Sequence, residues 1–307
     1  MKAYTSNNIR NIAVLGHGGK GKTTLCEAML YIAGASDRLG RVADGNTVLD
    51  FDSEEKRRKS SVSSAIAALE WDNTKLNIID APGLFDFEGG AAEAVRAAEA
   101  VLIVTSAGSG VDVGTEKAFR AAEKKGAAKF FAVTKTDSDH RNFYKTFDAL
   151  KEVYGNKLCP TIIPYMEGNI TKCYVNLMTG MAFSYDENGK ATKVPVPEDS
   201  VIEEMTSAFM EAVATTDDAL MEKFFEGEKF TKEEILKGLC IGIFDGSIYP
   251  VYAVSGLTCA GVDQLLYGLA WSAPGAFGYA GEKCTYENGE EGILPCDENG
   301  PLAAVCF

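Results

Sequence analysis

Residues 11–33, NIAVLGHGGKGKTTLCEAMLYIA, run a short continuous apolar stretch into a glycine-rich loop and then into apolar residues at helical spacing. A strand that feeds a helix through so short a turn can bury both apolar faces only in a layered α/β fold. The alternation continues, with strands expected at LNIID, VLIVTSA and AKFFAVTK. Helical patterns follow at EGGAAEAVRAAEA, GTEKAFRAAEKKG and DHRNFYKTFDALKEVYG. Continuous apolar strands alternating with helices predict a mostly parallel sheet covered on both faces, a three-layer sandwich.

The rhythm then breaks. From Pro160 to Val196 the text is β-like, with a hairpin turn at YDENGK. From Glu198 to Gly238 it is helical and acidic, and Thr231 ahead of Glu233 and Glu234 reads as a helix start. The strand IYPVYAVS and the helix GVDQLLYGLAW resume the first pattern. The expected organisation is an α/β body at 1–159 and 246–280, interrupted by an inserted α+β subdomain at 160–245. Residues 281–307 are again β-like and stop within an apolar run, as the start of a further domain.

GHGGKGKTT, Gly16 to Thr24, fits G-x-x-x-x-G-K-[ST] between strand and helix, which specifies a P-loop NTPase. Glycines let backbone N–H groups converge on phosphate oxygens, and the helix start adds its positive dipole end. Gly16, His17, Gly18, Gly19, Lys20, Gly21, Lys22, Thr23 and Thr24 are therefore candidate nucleotide-binding residues. Lys22 would reach the β and γ phosphates, and Thr23 would offer its hydroxyl to Mg²⁺. In DAPG, Asp80 at a strand end would hold Mg²⁺ through water, and Gly83 would bring a bare N–H to the γ-phosphate. Lys22 and Gly83 are the candidate catalytic groups.

Base choice is read from two further loops. TKTD places Thr134, Lys135 and Asp137 after strand AKFFAV, and a carboxylate at Asp137 accepts two donors from the guanine edge, a pattern adenine lacks. Ser255, Gly256 and Leu257 follow strand YPVYAV, where backbone N–H groups can meet the guanine O6. The ligand expected is GTP or GDP with Mg²⁺. Leu84, after DAPG, stands where many such enzymes keep a polar residue to orient water. Neither histidine replaces it: His17 reads as a loop-packing residue and His140 as a solvated helix-start residue.

Composition narrows the setting. A net charge of −14 over 307 residues argues against this chain wrapping nucleic acid by itself. No stretch approaches the roughly 20 apolar residues of a membrane span, and MKAYTSNNIRN lacks an apolar signal region, so the expectation is a cytoplasmic protein without membrane contact. Eight cysteines without a CxxC pair predict reduced thiols.

GHGGKGKTT, LDFDSEEKRRKSSVSSAIAALEW, DAPGLFDF, TKTD, AVSGLTCAGVDQLL and the insert ALMEKFFEGEKFTKEEILKGL together resemble the N-terminal GTPase domain of elongation factor G, over nearly the whole chain. The tail DENGPLAAVCF is similar to the start of that family's second, barrel-like domain. The resemblance implies GTP hydrolysis on the ribosome, coupled to translocation or a related step, and further domains beyond this chain. It also aligns Arg58-Lys59-Ser60-Ser61-Val62 with the family's first switch, which places Ser61 as a second Mg²⁺ ligand. Departures point to a divergent paralogue: Gly18 and Gly19 replace an apolar and an acidic residue, and Leu84 replaces a histidine. Thr134 replaces an asparagine, which predicts the loss of about one hydrogen bond, roughly 1 kcal/mol of nucleotide affinity. Two functions follow as expectations, a ribosome-stimulated GTPase with slow intrinsic turnover, or a GTP-dependent ribosome-binding or ribosome-protecting module with little hydrolysis.

Overall fold

The structure is a computed structural model that describes residues 2–138, 142–276, 281–297 and 299–300, with Leu302, Ala304 and Cys306. His140 lies outside the described residues. In chain order the elements begin with β1 (Ile9–Leu15), α1 (Lys22–Ile32), α2 (Ser53–Arg58), β2 (Ala65–Trp71) and β3 (Thr74–Asp80). They continue with α3 (Glu88–Ala97), β4 (Ala100–Ser106), α4 (Val113–Lys125), β5 (Ala128–Thr134) and α5 (Phe143–Tyr154). Next come β6 (Leu158–Glu167), β7 (Ile170–Asn176), β8 (Met181–Tyr185), β9 (Ala191–Val194), α6 (Ser200–Ala214), α7 (Asp218–Glu226) and α8 (Lys232–Asp245). Then follow β10 (Tyr249–Ala253), α9 (Val262–Ser272), β11 (Glu282–Thr285) and β12 (Glu291–Leu294).

One ten-stranded sheet has the order β2-β3-β1-β4-β5-β10-β6-β7-β8-β9. Pairing is parallel from β3 through β6 and antiparallel at both flanks. Every residue of β4 and of β5 is buried, so helices cover both faces, as continuous apolar strands require. Register then aligns the strand ends. Val14 pairs with Asp80, Leu15 with Ile103, Ser106 with Thr134 and Val133 with Ala253. The glycine loop, DAPG, TKTD and Ser255-Gly256-Leu257 consequently emerge at the same edge, the carboxyl ends of the strands, where open α/β sheets bind ligands.

Several elements differ from the sequence reading. β2 was not expected: alanine-rich SSAIAALEW carries little β propensity, and the strand forms by antiparallel pairing with β3. The strands of residues 160–245 join the main sheet, because β6 pairs with β10 in parallel. Pro160 sits within β6 although proline cannot donate to a ladder, and the register with β10 shifts there, between Val251 and Tyr252. The acidic helical stretch divides after Ala214, where Asp217 caps α7 by accepting from the N–H of Ala219. Thr231 caps α8 in a capping box closed by Glu234, as the sequence implies.

At YDENGK the Asp186 carboxylate accepts from the N–H groups of Asn188 and Lys190, and Gly189 takes a positive φ of 75° between β8 and β9. β11 and β12 form a separate two-stranded ribbon, tied to α3 by a bidentate Arg96–Glu282 ion pair at 2.9 and 2.8 Å. All eight cysteines are free, and no described helix is long and apolar enough to cross a membrane.

Leu102 on β4 is fully buried, whereas Ile66 on the sheet-edge strand β2 is 58% exposed. Leu102→Ala should therefore destabilise the chain by about 3 kcal/mol in urea unfolding, and Ile66→Ala by less than about 0.5 kcal/mol. Equal costs would contradict the position of β4 at the centre of the core.

Candidate nucleotide-binding site

The glycine loop leaves β1 and ends at Gly21, whose left-handed φ of 88° turns the chain into α1. Gly16 also has positive φ, and a Cβ there would strike the Val104 carbonyl on β4, so the loop lies directly on the sheet. Lys22, 7% exposed, curls back and donates from Nζ to the carbonyls of Gly16 at 3.0 Å and His17 at 3.2 Å. A Cβ on Gly83 would occupy the Lys22 ammonium position, so only glycine lets DAPG approach this closely. Burial lowers the Lys22 pKa, and the carboxylates of Asp80 and Asp50 oppose that shift.

Thr23, Ser61 and Asp80 are brought together as the sequence implies. The Thr23 and Ser61 hydroxyl oxygens are 3.0 Å apart, and Ser61 donates to Asp50 Oδ1 at 2.7 Å. Asp80 is 1% exposed, and its Oδ1 lacks a hydrogen-bond partner among the described residues, as does Oδ2 of Asp50. Burial pushes the Asp80 pKa up to about 7, against a hydrogen bond from Thr23 and the positive charge of Lys22. Two hydroxyls and two orphaned carboxylate oxygens are hard donors that fit Mg²⁺. That ion takes one or two carboxylates and substrate phosphates in preference to an all-protein cage.

The sequence reading did not single out Asp50, Glu27 or Glu55. Glu27 is fully buried one turn after Thr23, and its Oε1 accepts from the N–H groups of Val48 at 2.7 Å and Leu49 at 3.0 Å. Glu55 accepts from Val62 at 2.9 Å and Ser63 at 3.1 Å, which fixes the chain on the far side of Ser61. The capping pattern Asp52-x-x-Glu55 was the one local signal for that residue.

TKTD meets the glycine loop from the other side. Thr134 donates to the Lys20 carbonyl at 2.6 Å and lies 3.0 Å from the Thr105 carbonyl. The Thr134 hydroxyl thus braces the glycine loop itself. Lys135 donates to the Gly19 carbonyl at 2.7 Å from a left-handed backbone, φ 60°, and Lys20 pairs with Asp112 at 2.8 Å. Asp137 is exposed at the end of this loop. Ser255 is buried, and its N–H donates to the Ala260 carbonyl at 2.9 Å, so among the three loop amides that one is committed inside the protein. Gly256 rests on the first turn of α1, where a Cβ would come within 3.0 Å of the Thr24 carbonyl, and Leu257 is exposed.

Leu84 and Gly18 explain each other. The Leu84 Cδ2 lies 3.0 Å from where a Cβ on Gly18 would stand, so Leu84 packs against the glycine loop where a larger residue at 18 would crowd it. His17 packs as expected, its ring edge-on to Phe85 at 5.6 Å and its backbone against Gly114. Leu15, Pro82, Leu84, Phe85 and Ala118 line an apolar pocket of about 500 Å³ beside the loop. A larger groove, about 720 Å³ between α6 and α7, lies away from the loop cluster and carries no glycine loop.

The sequence model of the elongation factor Tu GTP-binding domain matches residues 7–274, a span that includes all four loops. The chain belongs to that family. Elongation factor G-like proteins of two Mycobacterium tuberculosis strains, CDC 1551 / Oshkosh and ATCC 25618 / H37Rv, are 31% identical over 300 residues, which cover 96% of this chain and 41% of theirs. A crystal structure from Thermus thermophilus superposes with a TM-score of 0.83 at 34% identity, over 90% of this chain and 42% of that one. The chain thus spans about two fifths of the length of these relatives. As a member of the elongation factor Tu GTP-binding family, it is a divergent translational GTPase domain with a guanine-nucleotide fold.

For the nucleotide-free form, the raised Asp80 pKa has a consequence with a definite sign. Folding favours the protonated carboxyl, so this contribution is full below about pH 4, where the unfolded chain is protonated too, and is lost as pH rises through about 7. Asp80→Asn cannot titrate and should gain stability relative to the parent as pH rises from 5 to 8, by roughly 2–4 kcal/mol at the upper end. Urea unfolding at both pH values measures the gain; a pH-independent difference would contradict the burial of an ionisable Asp80.

Proposed function

We propose that the chain is the GTPase part of a cytoplasmic elongation factor G-like protein that hydrolyses GTP during a step on the ribosome. Residues 1–159 and 246–280 would form the GTPase body, 160–245 its insertion, and 281–307 the start of a second, barrel-like domain. The observation that carries the reading is the convergence of Lys22, Gly83, Thr23, Ser61 and Asp80 where β1 and β3 end side by side.

In this reading Lys22 exchanges its two carbonyl acceptors for β- and γ-phosphate oxygens, and the backbone N–H of Gly83 supports the γ-phosphate. Thr23 and Ser61 would hold Mg²⁺ directly and Asp80 through water, and the ion supplies charge that offsets the phosphates. Thr134 and Lys135 keep the glycine loop in place. Asp137 accepts from the guanine edge, and the N–H groups of Gly256 and Leu257 face its O6. Leu84 contributes no donor or acceptor to the attacking water, so slow intrinsic turnover follows, and the ribosome would complete the arrangement.

Leu84 also supports a second reading, a GTP-dependent ribosome-binding or ribosome-protecting module in which hydrolysis is negligible. At 40% exposure and folded toward Gly18, it presents an alkyl group after DAPG, where the resemblance implies a histidine. Single-turnover GTP hydrolysis by the complete factor, with and without ribosomes, separates the two. Rapid ribosome-stimulated hydrolysis supports the GTPase, and none supports the module.

The base reading predicts at least about ten-fold preference of the chain for GDP over ADP in calorimetry. Asp137→Asn should shift that preference toward xanthosine nucleotides, whose edge offers an acceptor where guanine offers a donor. Lys22→Ala should abolish tight binding of either. Equal affinity for GDP and ADP in the parent would defeat the assignment of Asp137.

A further inference from the structure

Asp137 is exposed on a short loop, so its aim depends on what fixes the residue before it. Thr136 is buried, and its hydroxyl joins three segments that are distant in sequence. It donates to the Val254 carbonyl at 3.0 Å, directly before Ser255-Gly256-Leu257. It also lies 2.7 Å from the phenol of Tyr174 on β7. A carbonyl can only accept, so the single threonine proton goes to Val254 and Tyr174 must be the donor to Thr136. Burial raises the Tyr174 pKa well above the ordinary tyrosine range, which keeps the phenol protonated. Thr171, also on β7, donates to the Thr136 main-chain carbonyl at 2.8 Å. One strand of the inserted segment thus grips Thr136 by side chain and by backbone.

We infer that Tyr174, supported by Thr171, is a positioning residue for guanine discrimination, linking the loop of Asp137 to the loop of Gly256 and Leu257. The inference rests on the proposed reading of Asp137 as the base acceptor. The braces to the glycine loop run through Thr134 and Lys135, whereas the grip of β7 falls on Thr136. Loosening it should disturb base recognition and spare the phosphates.

The test titrates the chain with GDP and with IDP, whose base lacks the exocyclic amine that would be one of two donors to Asp137. Tyr174→Phe keeps the ring, which packs edge-on to Tyr185 at 5.6 Å, and thermal unfolding checks that the variant is folded. It should narrow the GDP-over-IDP preference about five-fold and leave the GTP-to-GDP affinity ratio unchanged. Thr136→Val should do the same, Thr136→Ser should restore the preference, and Tyr174→Phe added to Thr136→Val should cost nothing more.

Asp137→Ala separates the two levels of the reading. If it leaves the GDP-over-IDP preference intact, or the parent has none, the base-acceptor reading falls and this inference with it. If it removes the preference while Tyr174→Phe lowers GDP and IDP affinity equally or not at all, the inference alone is overturned. A further five-fold loss in the double variant would likewise overturn it, by showing that the phenol acts elsewhere.

Discussion

The buried ammonium of Lys22 is the group on which the loop cluster depends. A charge with so little access to water is tolerable only where acceptors and counter-charges are already fixed around it. Two carbonyls of the glycine loop supply the first, and the Asp80 and Asp50 carboxylates supply the second. Those carboxylates are buried as well, and they depend in turn on Lys22 and on the Thr23 and Ser61 hydroxyls. Shared charge and hydrogen bonds therefore couple the glycine loop, the Asp50–Ser61 segment and DAPG, while one carboxylate oxygen each of Asp80 and Asp50 keeps no partner among the described residues. Gly83 is the spatial condition for that coupling, because any side chain there would displace the ammonium.

The segment that carries Ser61 is held differently from the sheet beneath it. Glu27 and Glu55 fasten its two sides by accepting from backbone N–H groups. Val48 and Phe51, by contrast, are exposed large apolar side chains on the same segment. The segment is thus ordered by a few charge-assisted hydrogen bonds to two buried carboxylates more than by burial of its own apolar side chains.

Two departures from the resembled pattern are compensated in three dimensions. A glycine at position 18 admits Leu84, so an apolar residue still covers this part of the loop although it comes from another element. The Thr134 hydroxyl donates to the Lys20 carbonyl, so a side chain at this position still braces the glycine loop. The partners are distant in sequence: Gly18 lies on the loop after β1 and Leu84 after β3, while Thr134 ends β5 and reaches Lys20.

Much of the fold and of the site was legible in the sequence because it depends on local patterns. Continuous apolar strands, helical spacing and the glycine loop specify the parallel sheet, and the loop motifs single out Lys22, Thr23, Asp80, Gly83 and Asp137. Local patterns do not report pairing partners. β2 was missed because its alanines become a strand only against β3, and the β6–β9 segment was seen as an insertion without its attachment to β10. Glu27, Asp50 and Tyr174 carry no local signal, and Glu55 only its place in a capping pattern, since a carboxylate or phenol acquires its role from the donors and acceptors that folding places around it. The sequence by itself determined which chemical groups stand at the ends of the strands. Tertiary structure alone decided which of them meet, because hydrogen bonds and buried charge act over a few ångströms and only the packed sheet brings residues so far apart in the chain within that range.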